Sequence, residues 1–539
     1  MSQSNLPRPP KLGGALPLLG HITSFGKNPH EFMMRLREQL GPVAEFRLFH
    51  QRMVLLTGPE ASETFYRAPD EVLDQGPAYR FMTPIFGHGV VFDAPIPKKN
   101  QQLQMLMPAL RDKPMRSYSD VIVDEVENMV RAWGAAGEID LLHFTKELTL
   151  YTSSHCLLGS EFRHELNAEF AEIYHDLEQS IQPIAYIFPN LPLPMFRRRD
   201  RARARLQQLV EQIMAKRAES LEVGTNVFQT LIDARYEDGT RLTPHEITGM
   251  LVAAIFAGHH TSSGTAAWIL IELLRHPRHL AAVVAEIDEV IGRTGGVTFE
   301  ALRQMPKLDA VIKEVLRLHP PLIVLMRKVV QDIDIAGYRI DAGKYVCTAP
   351  SVTHRIPGLF PDPERFEPER YGPERAEDRN LFGWQAFGGG KHKCTGNAFA
   401  LFQLKAIFSV LLRRFAFELA GEPGSYRDDY TQMVVEPGAP CRVRYRAVGA
   451  ATTGAVEAGG GCPFSGGTAT RGGVRVRVDA DLCQGHGQCM AEAPEIFHFD
   501  ENTRQLTLLK PEVPPELVES ARRAQRYCPS HAIELIEDH

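Results

Sequence analysis

The sequence is short of cysteine, with eight in 539 residues, and of tryptophan, with three. Thiols this sparse exclude a disulfide scaffold and point to a reducing compartment. An excess of one charge is lacking too. Against 66 Asp and Glu stand 60 Lys and Arg, a net charge of −6, so no global field draws the chain to nucleic acid or an anionic bilayer. Near the start, Pro7, Pro9, Pro10, Gly13 and Gly14 stand where a secretory signal would need a basic stretch and an apolar core, and no such signal is expected. Uninterrupted apolar runs are also missing. The uncharged stretch Thr248–Ile271 is as long as a membrane span, but His259, His260, Thr261, Ser262 and Ser263 break its centre; the expectation is no membrane span. A dinucleotide fingerprint is absent as well, because Gly388–Gly390 and Gly459–Gly461 lack a strand–turn–helix setting.

What is present is an ordinary globular composition, 44% hydrophobic and 23% charged, able to bury a large core. Single cores stop growing near ~250–300 residues, so a chain of this length divides. Residues 448–473 are Gly, Ala, Thr and Ser with almost no large apolar side chain, the composition of a flexible linker. As a coil of about 25 residues it would reach roughly 25–30 Å. The expected organisation is a large domain over 1–447, the linker over 448–473 and a small domain over 474–539. From Val474 onward there are 7 basic and 12 acidic residues, leaving 53 against 54 before it. The tail therefore holds nearly all the negative excess.

Apolar residues at three- and four-residue spacing predict helices over Val121–Trp133, Arg201–Ala218, Pro244–Arg275, Leu280–Ile291 and Asn397–Arg413. Alternating or β-branched stretches predict strands at Val43–Arg47, Met53–Thr57, Ile333–Ile335 and Tyr345–Thr348. The large domain is thus mainly α with small β-sheets. In the tail, a strand over Val474–Val478, a helix over Pro515–Tyr527 and a strand over Ile533–Ile536 make a small α+β module, of a size that a metal centre commonly supports.

The strongest chemical signal is Phe387-Gly-Gly-Gly-Lys-His-Lys-Cys394-Thr-Gly396, followed by the helical run Asn397–Arg413. The glycines let backbone approach a flat ligand, and the positive end of the helix favours a thiolate at Cys394. This loop resembles the haem-binding loop of the cytochrome P-450 family. Glu314-Val-Leu-Arg317 resembles that family's Glu-x-x-Arg, with Arg370 in Phe366-Glu-Pro-Glu-Arg-Tyr371 completing the network and Arg365 as a near duplicate. Ala257-Gly258-His259-His260-Thr261 stands where the family places a small residue, an acid and a threonine over the haem; here His260 replaces the acid. The His260-Thr261 pair and the segment Tyr79–Asp93 resemble the sterol 14α-demethylases, and the similarity to bacterial members extends over most of residues 1–446.

The resemblance implies a haem b held by Cys394 and a monooxygenase activity. Oxygen activation consumes protons, which Thr261 and His260 would relay as catalytic residues. Tyr79, Arg327 and His392 match positions that hold the haem propionates, and Lys98 or Lys99 would supply a further cation. Phe81, Phe86, Phe256, Leu322, Ile323, Met433 and Val435 match positions lining the substrate pocket. The implied substrates are a 14α-methyl sterol and O2. The methyl group would leave as formate after three oxidations, each using one O2 and two electrons. A haem-thiolate hydroxylase of another lipid, a fatty acid or hopanoid, stays open, as does a haem and iron–sulfur redox sensor. A cytoplasmic location is implied, with peripheral contact at a membrane to reach the sterol.

Cys483-Gln-Gly-His486-Gly-Gln-Cys489 and Cys528-Pro529 resemble a bacterial ferredoxin with His486 in place of the second cysteine. Three thiolates, Cys483, Cys489 and Cys528, then imply a [3Fe-4S] cluster with His486 beside it, and Cys462 in the linker is read as a free thiol. A zinc site of three cysteines and a histidine is the alternative. The fused ferredoxin would pass electrons to the haem, docking on a basic face containing Lys391, Lys393, Lys405, Arg413 and Arg414. A tether of suitable span raises effective concentration to roughly mM. A separate NAD(P)H-dependent ferredoxin reductase is implied as the electron source.

Overall fold

The computed structural model describes residues 6–110, 112–165, 167–181, 183–186, 188–219, 226–380, 382–448, 474–478, 488–499, 506–528 and 532–537. Apart from Val448, the linker lies outside these residues, as do Cys462, Cys483 and His486. Two compact units form. One comprises Met1–Ala386 and Thr395–Ala447; the other comprises Phe387–Cys394 and Val448–His539.

The larger unit is mostly helical. Its main sheet runs in the order Val43–Leu48, Gln51–Leu56, Tyr345–Thr348, Leu325–Val329, Leu73–Asp74, and only the pairing of Gln51–Leu56 with Tyr345–Thr348 is parallel. Consecutive strand residues go to opposite cores. Val43, Val54 and Val346 join a cluster with Phe65 and Tyr66, while Ala44, Leu55 and Cys347 join Phe32, Met33 and Leu36. Two buried faces explain why these strands read as continuous apolar runs. A second sheet pairs Arg442–Ala447 with Ala136–Asp140 on one side and Phe415–Leu419 on the other, all antiparallel.

The long helix Pro244–Arg275 is the axis of this unit. Its start is written locally: the Thr243 hydroxyl accepts from the Glu246 N–H at 3.3 Å, and the Glu246 carboxylate accepts from the Thr243 N–H at 2.7 Å. With Pro244 in the first turn, this is a complete capping box. Two glycines fit the helix to its neighbours. A Cβ at Gly249 would collide with the carbonyl of Phe86, and one at Gly264 would press on Val435 and Glu436 at 3.2–3.3 Å.

Several elements differ from the sequence pattern, among them the helices Pro29–Leu40, Asn167–Glu178 and Pro306–Leu318 that it did not predict, and two further differences have a plain physical cause. The helix expected over Val121–Trp133 spans Asp112–Val130. Trp133 leaves it to pack against Phe144, Phe415 and Tyr445, with ring centroids 4.4–5.0 Å apart. The helix Leu141–Leu157 is absent from the sequence expectation because its Thr and Ser residues blur the apolar period. Thr149 and Thr152 bond to carbonyls of their own helix, at 2.8 and 2.9 Å, and so remain buried.

In the smaller unit, Val474–Val478 pairs antiparallel with Glu512–Val513 and with Ile533–Glu537. Helix Val518–Tyr527 follows a single turn at Pro515–Leu517. The core includes Val476, Ile496, Phe497, Ala521 and Ala524 together with Cys489 and Cys528. The observed class is therefore the expected one, mainly α with small sheets plus a small α+β unit. Among the described residues, no helix is long and apolar enough to cross a membrane.

Candidate functional site

Most of helix Pro244–Arg275 is buried, but one stripe at its middle is accessible. Ala257 is exposed, and Ala253, Ala254, Gly258 and Thr261 are half-buried. Spacing of three and four places these small side chains on one face, giving a shallow wall with a single hydroxyl. Thr261 Oγ1 donates to the carbonyl of Ala257 at 2.6 Å, so the hydroxyl stays satisfied while lying on the accessible face.

Behind the wall sits a polar cluster. His260 Nε2 lies 3.0 Å from the Tyr174 hydroxyl, and His260 Nδ1 lies 3.7 Å from Glu178 Oε1. Both partners stand on helix Asn167–Glu178. Burial, and then the charge of Lys146, lower the His260 pKa to about 4, so the ring is a neutral acceptor at pH 7. Burial raises the pKa of the Glu178 carboxyl, opposed by Lys146 and His175. His259 is buried against Thr149, with Nδ1 3.0 Å from the hydroxyl, and burial holds its pKa well below the ordinary value.

Tyr79 and Arg327 come together at strand Leu325–Val329. The Tyr79 hydroxyl accepts from the Met326 N–H at 3.3 Å. Arg327 is fully buried and gives Nη1 to the carbonyl of Phe65 at 2.7 Å, while its Nε has no protein partner. An unpaired buried guanidinium N–H is costly, and a carboxylate from a bound group would satisfy it. Burial lowers the Arg327 pKa to about 10, opposed by Asp70, so the group remains cationic. Lys98 and Lys99 turn elsewhere: Lys98 pairs with Glu246 at 2.6 Å, and Lys99 is buried against Asp70 at 3.3 Å.

Cys394 is exposed, whereas the other described cysteines are buried. Its N–H donates to the carbonyl of Phe387 at 2.9 Å, closing the loop. Gly388 and Gly390 have φ of 68° and 59°, the left-handed region where a side chain is strained. His392 ends the short turn Gly390–His392 and is half-buried.

Glu314, Arg317 and Arg370 meet with no exposure at all. Arg317 grips the carboxylate through Nε and Nη2, both at 2.8 Å; Arg370 Nε adds a third bond at 3.2 Å. The Tyr371 hydroxyl and the Glu367 N–H donate at 2.9 and 2.8 Å. Arg365 contributes its backbone carbonyl, which accepts from Arg317 and Arg370, and its side chain is exposed.

Of the apolar positions, Phe86 and Phe256 meet edge to face at 6.2 Å, and Phe81 stacks on Tyr186 at 4.0 Å. Ile323 and Val435 share one core cluster, Met433 is half-buried and Leu322 is exposed. Of the expected basic face, Lys405 pairs with Asp309 at 2.8 Å, Arg413 with Asp288 at 3.2 Å and Arg414 with Glu127 at 2.7 Å. These three charges are already compensated. Tyr174, Glu178 and Thr149 were not legible as site residues, since Tyr174 lies 86 residues from His260 and the periodicity of its helix gives no hint of a partner.

Within the larger unit, a small-residue wall with one hydroxyl and an unsatisfied buried guanidinium are features suited to a haem; the glycine loop separately carries an exposed cysteine suited to be a thiolate ligand. The comparisons agree. The cytochrome P450 family model matches residues 9–441, and the chain belongs to this family of haem-thiolate oxidoreductases. A model described as a 4Fe-4S single cluster domain matches residues 476–535, so the chain joins an iron–sulfur module to its haem domain. The sterol 14alpha-demethylase of Mycobacterium tuberculosis is 48% identical over 442 residues, covering 81% of this chain and 98% of that protein. The sterol 14-demethylase of Arabidopsis thaliana is 38% identical over 446 residues, 81% and 91% of the two chains. Among solved structures, retinoic acid-bound cyanobacterial CYP120A1 superposes with a TM-score of 0.72 at 25% identity, over 83% of this chain and all of the other.

Proposed function

We propose that the chain removes the 14α-methyl group of a lanosterol-type sterol as formate, in three successive O2-dependent oxidations. The observation that carries this reading is the 48% identity, over nearly their full length, to bacterial sterol 14alpha-demethylases. The division proposed is a haem domain over 1–447, a linker over 448–473 and a ferredoxin domain over 474–539, with the ferredoxin delivering electrons within the chain. A separate NAD(P)H-dependent reductase reloads it. The protein works in the cytoplasm and takes its sterol from a membrane surface.

Haem b bound through a thiolate supplies an iron centre that activates dioxygen for attack on an unactivated C–H bond. Cys394 is the proposed ligand, with the N-terminus of helix Asn397–Arg414 favouring its anionic form. Tyr79, Arg327 and His392 would hold the propionates; Arg327 Nε is the donor with a bond to spare. Thr261 and His260 would relay protons, with the Glu178 carboxylate 3.7 Å from His260 Nδ1. Phe81, Phe86, Phe256, Leu322, Ile323, Met433 and Val435 would enclose the apolar sterol and exclude water. In the tail, Cys483, Cys489 and Cys528 would hold a [3Fe-4S] cluster. Cys489 and Cys528 share one small core, which supports a common cluster.

Titrating the haem-loaded protein with a 14α-methyl sterol is expected to give a saturable spin-state change that a long-chain fatty acid does not, followed by formate on turnover. A shift with the fatty acid alone, and no formate, would replace this reading by a lipid hydroxylase. Electron paramagnetic resonance of the oxidised protein is expected to show the signal of a three-iron cluster. A silent oxidised protein with zinc by metal analysis would overturn the cluster assignment.

A further inference from the structure

Away from the wall of Ala257 and Thr261, three potential metal ligands converge. Glu125 lies on helix Asp112–Val130, His155 on helix Leu141–Leu157 and His164 in the turn Glu161–Glu165. One carboxylate oxygen and one nitrogen of each ring all lie within 4.8 Å of one another. Glu125 comes from a different helix, 30 residues before His155, while His155 and His164 sit on consecutive elements, and neither the haem nor the cluster chemistry uses them.

The carboxylate is oriented as a ligand. Glu125 is buried; Arg163 Nη2 donates to its Oε2 at 2.8 Å, leaving Oε1 facing His155 Nδ1 at 2.9 Å. Arg163 is itself fixed over the Tyr151 ring at 4.0 Å. Such outer partners fix the orientation of metal ligands and set their affinity. The His164 ring stands at 85° to that of His155, with centroids 5.0 Å apart, and is exposed. The turn that carries it is π-helical, a wide turn often found at functional sites.

We infer that Glu125, His155 and His164 form a zinc-binding site, with Zn2+ taking the place of the proton shared by His155 Nδ1 and Glu125 Oε1. Zinc sites with a carboxylate and two imidazoles have bonds of about 2.0–2.2 Å, which sets neighbouring ligand atoms about 3.3 Å apart. The Glu125–His155 pair is near that spacing already, and the exposed His164 ring has room to close the rest. A water would complete the tetrahedron. The bound ion would pin two helices to the turn that precedes Asn167–Glu178, the helix bearing Tyr174 and Glu178. It would thereby brace the partners of His260 from outside the haem pocket.

The test uses tag-free, full-length protein loaded with haem and cluster, stripped of adventitious metal, and titrated with Zn2+ by calorimetry. Wild type is expected to bind one more equivalent than His164→Ala, or to bind at least about tenfold tighter. Zinc is expected to raise Tm in wild type and not in the variant. Because His164 is exposed, the variant should keep its haem spectrum and its zinc-free Tm. Glu125→Gln should show the same loss, and if it fails to fold, His164→Ala decides alone. Equal stoichiometry, affinity and Tm response in wild type and His164→Ala would overturn the site.

Discussion

Cys394→Ala is expected to reduce turnover to background and to remove the thiolate signature from the spectrum of the reduced, carbon monoxide-bound protein. As the proposed haem ligand, the sulfur would donate electron density to the iron, and neither alanine nor a neutral imidazole would reproduce that push. Cys394→His is therefore expected to retain haem while losing oxidation. The control is a second cysteine. Cys347 is buried in the sheet core beside Ala44 and Leu55, and burial raises its thiol pKa to about 12, so it packs as a small neutral side chain. Cys347→Ala should keep the spectrum and most of the turnover. If Cys394→Ala retained a thiolate spectrum, another cysteine would be the ligand and the loop would need a different role.

The largest effect on stability is expected at Glu314. Its fully buried carboxylate receives both guanidinium groups, the Tyr371 hydroxyl and the Glu367 N–H. Glu314→Ala leaves Arg317 buried without its counter-ion and Arg370 with only Glu367 and Glu377, a loss of about 3–5 kcal/mol by analogy with other buried pairs. Total stabilities are about 5–15 kcal/mol, so the variant should unfold at much lower urea and lose haem on purification. Glu314→Gln keeps an acceptor oxygen and should fall between. Arg365→Ala, by contrast, preserves the backbone carbonyl that Arg317 and Arg370 use, and as an exposed substitution should change stability by about 0.5 kcal/mol or less. Denaturation midpoints of the four proteins check the order.

Much of the site was legible because its chemistry is local. Thr243 and Glu246 announce the start of the long helix within four residues. The glycine loop before Cys394 reads directly from the chain, since left-handed backbone and close approach require glycine. The polar interruption at His259–Ser263 marked the candidate side chains on an otherwise apolar helix, and the helix bounds Pro244–Arg275 were read to the residue. The near duplicate of Arg365 and Arg370 was different: both fit the same pattern, and only the placement of the side chains shows which one reaches Glu314.

By itself, then, the sequence determined the class of the large unit, the linker composition, the glycine loop before Cys394 and the thiol spacing of the tail. Each of these depends on residue types within a few positions of one another, where backbone geometry does the specifying. Tertiary structure alone decided the partners. It set Tyr174 and Glu178 against His260, turned Lys99 toward Asp70, and joined Lys405, Arg413 and Arg414 to acids. It also gathered Glu125, His155 and His164 from three elements. The physical reason is common to all of them. A charge or imidazole is satisfied by whatever packing brings within about 3–4 Å, and no periodicity along the chain encodes which distant side chain that will be.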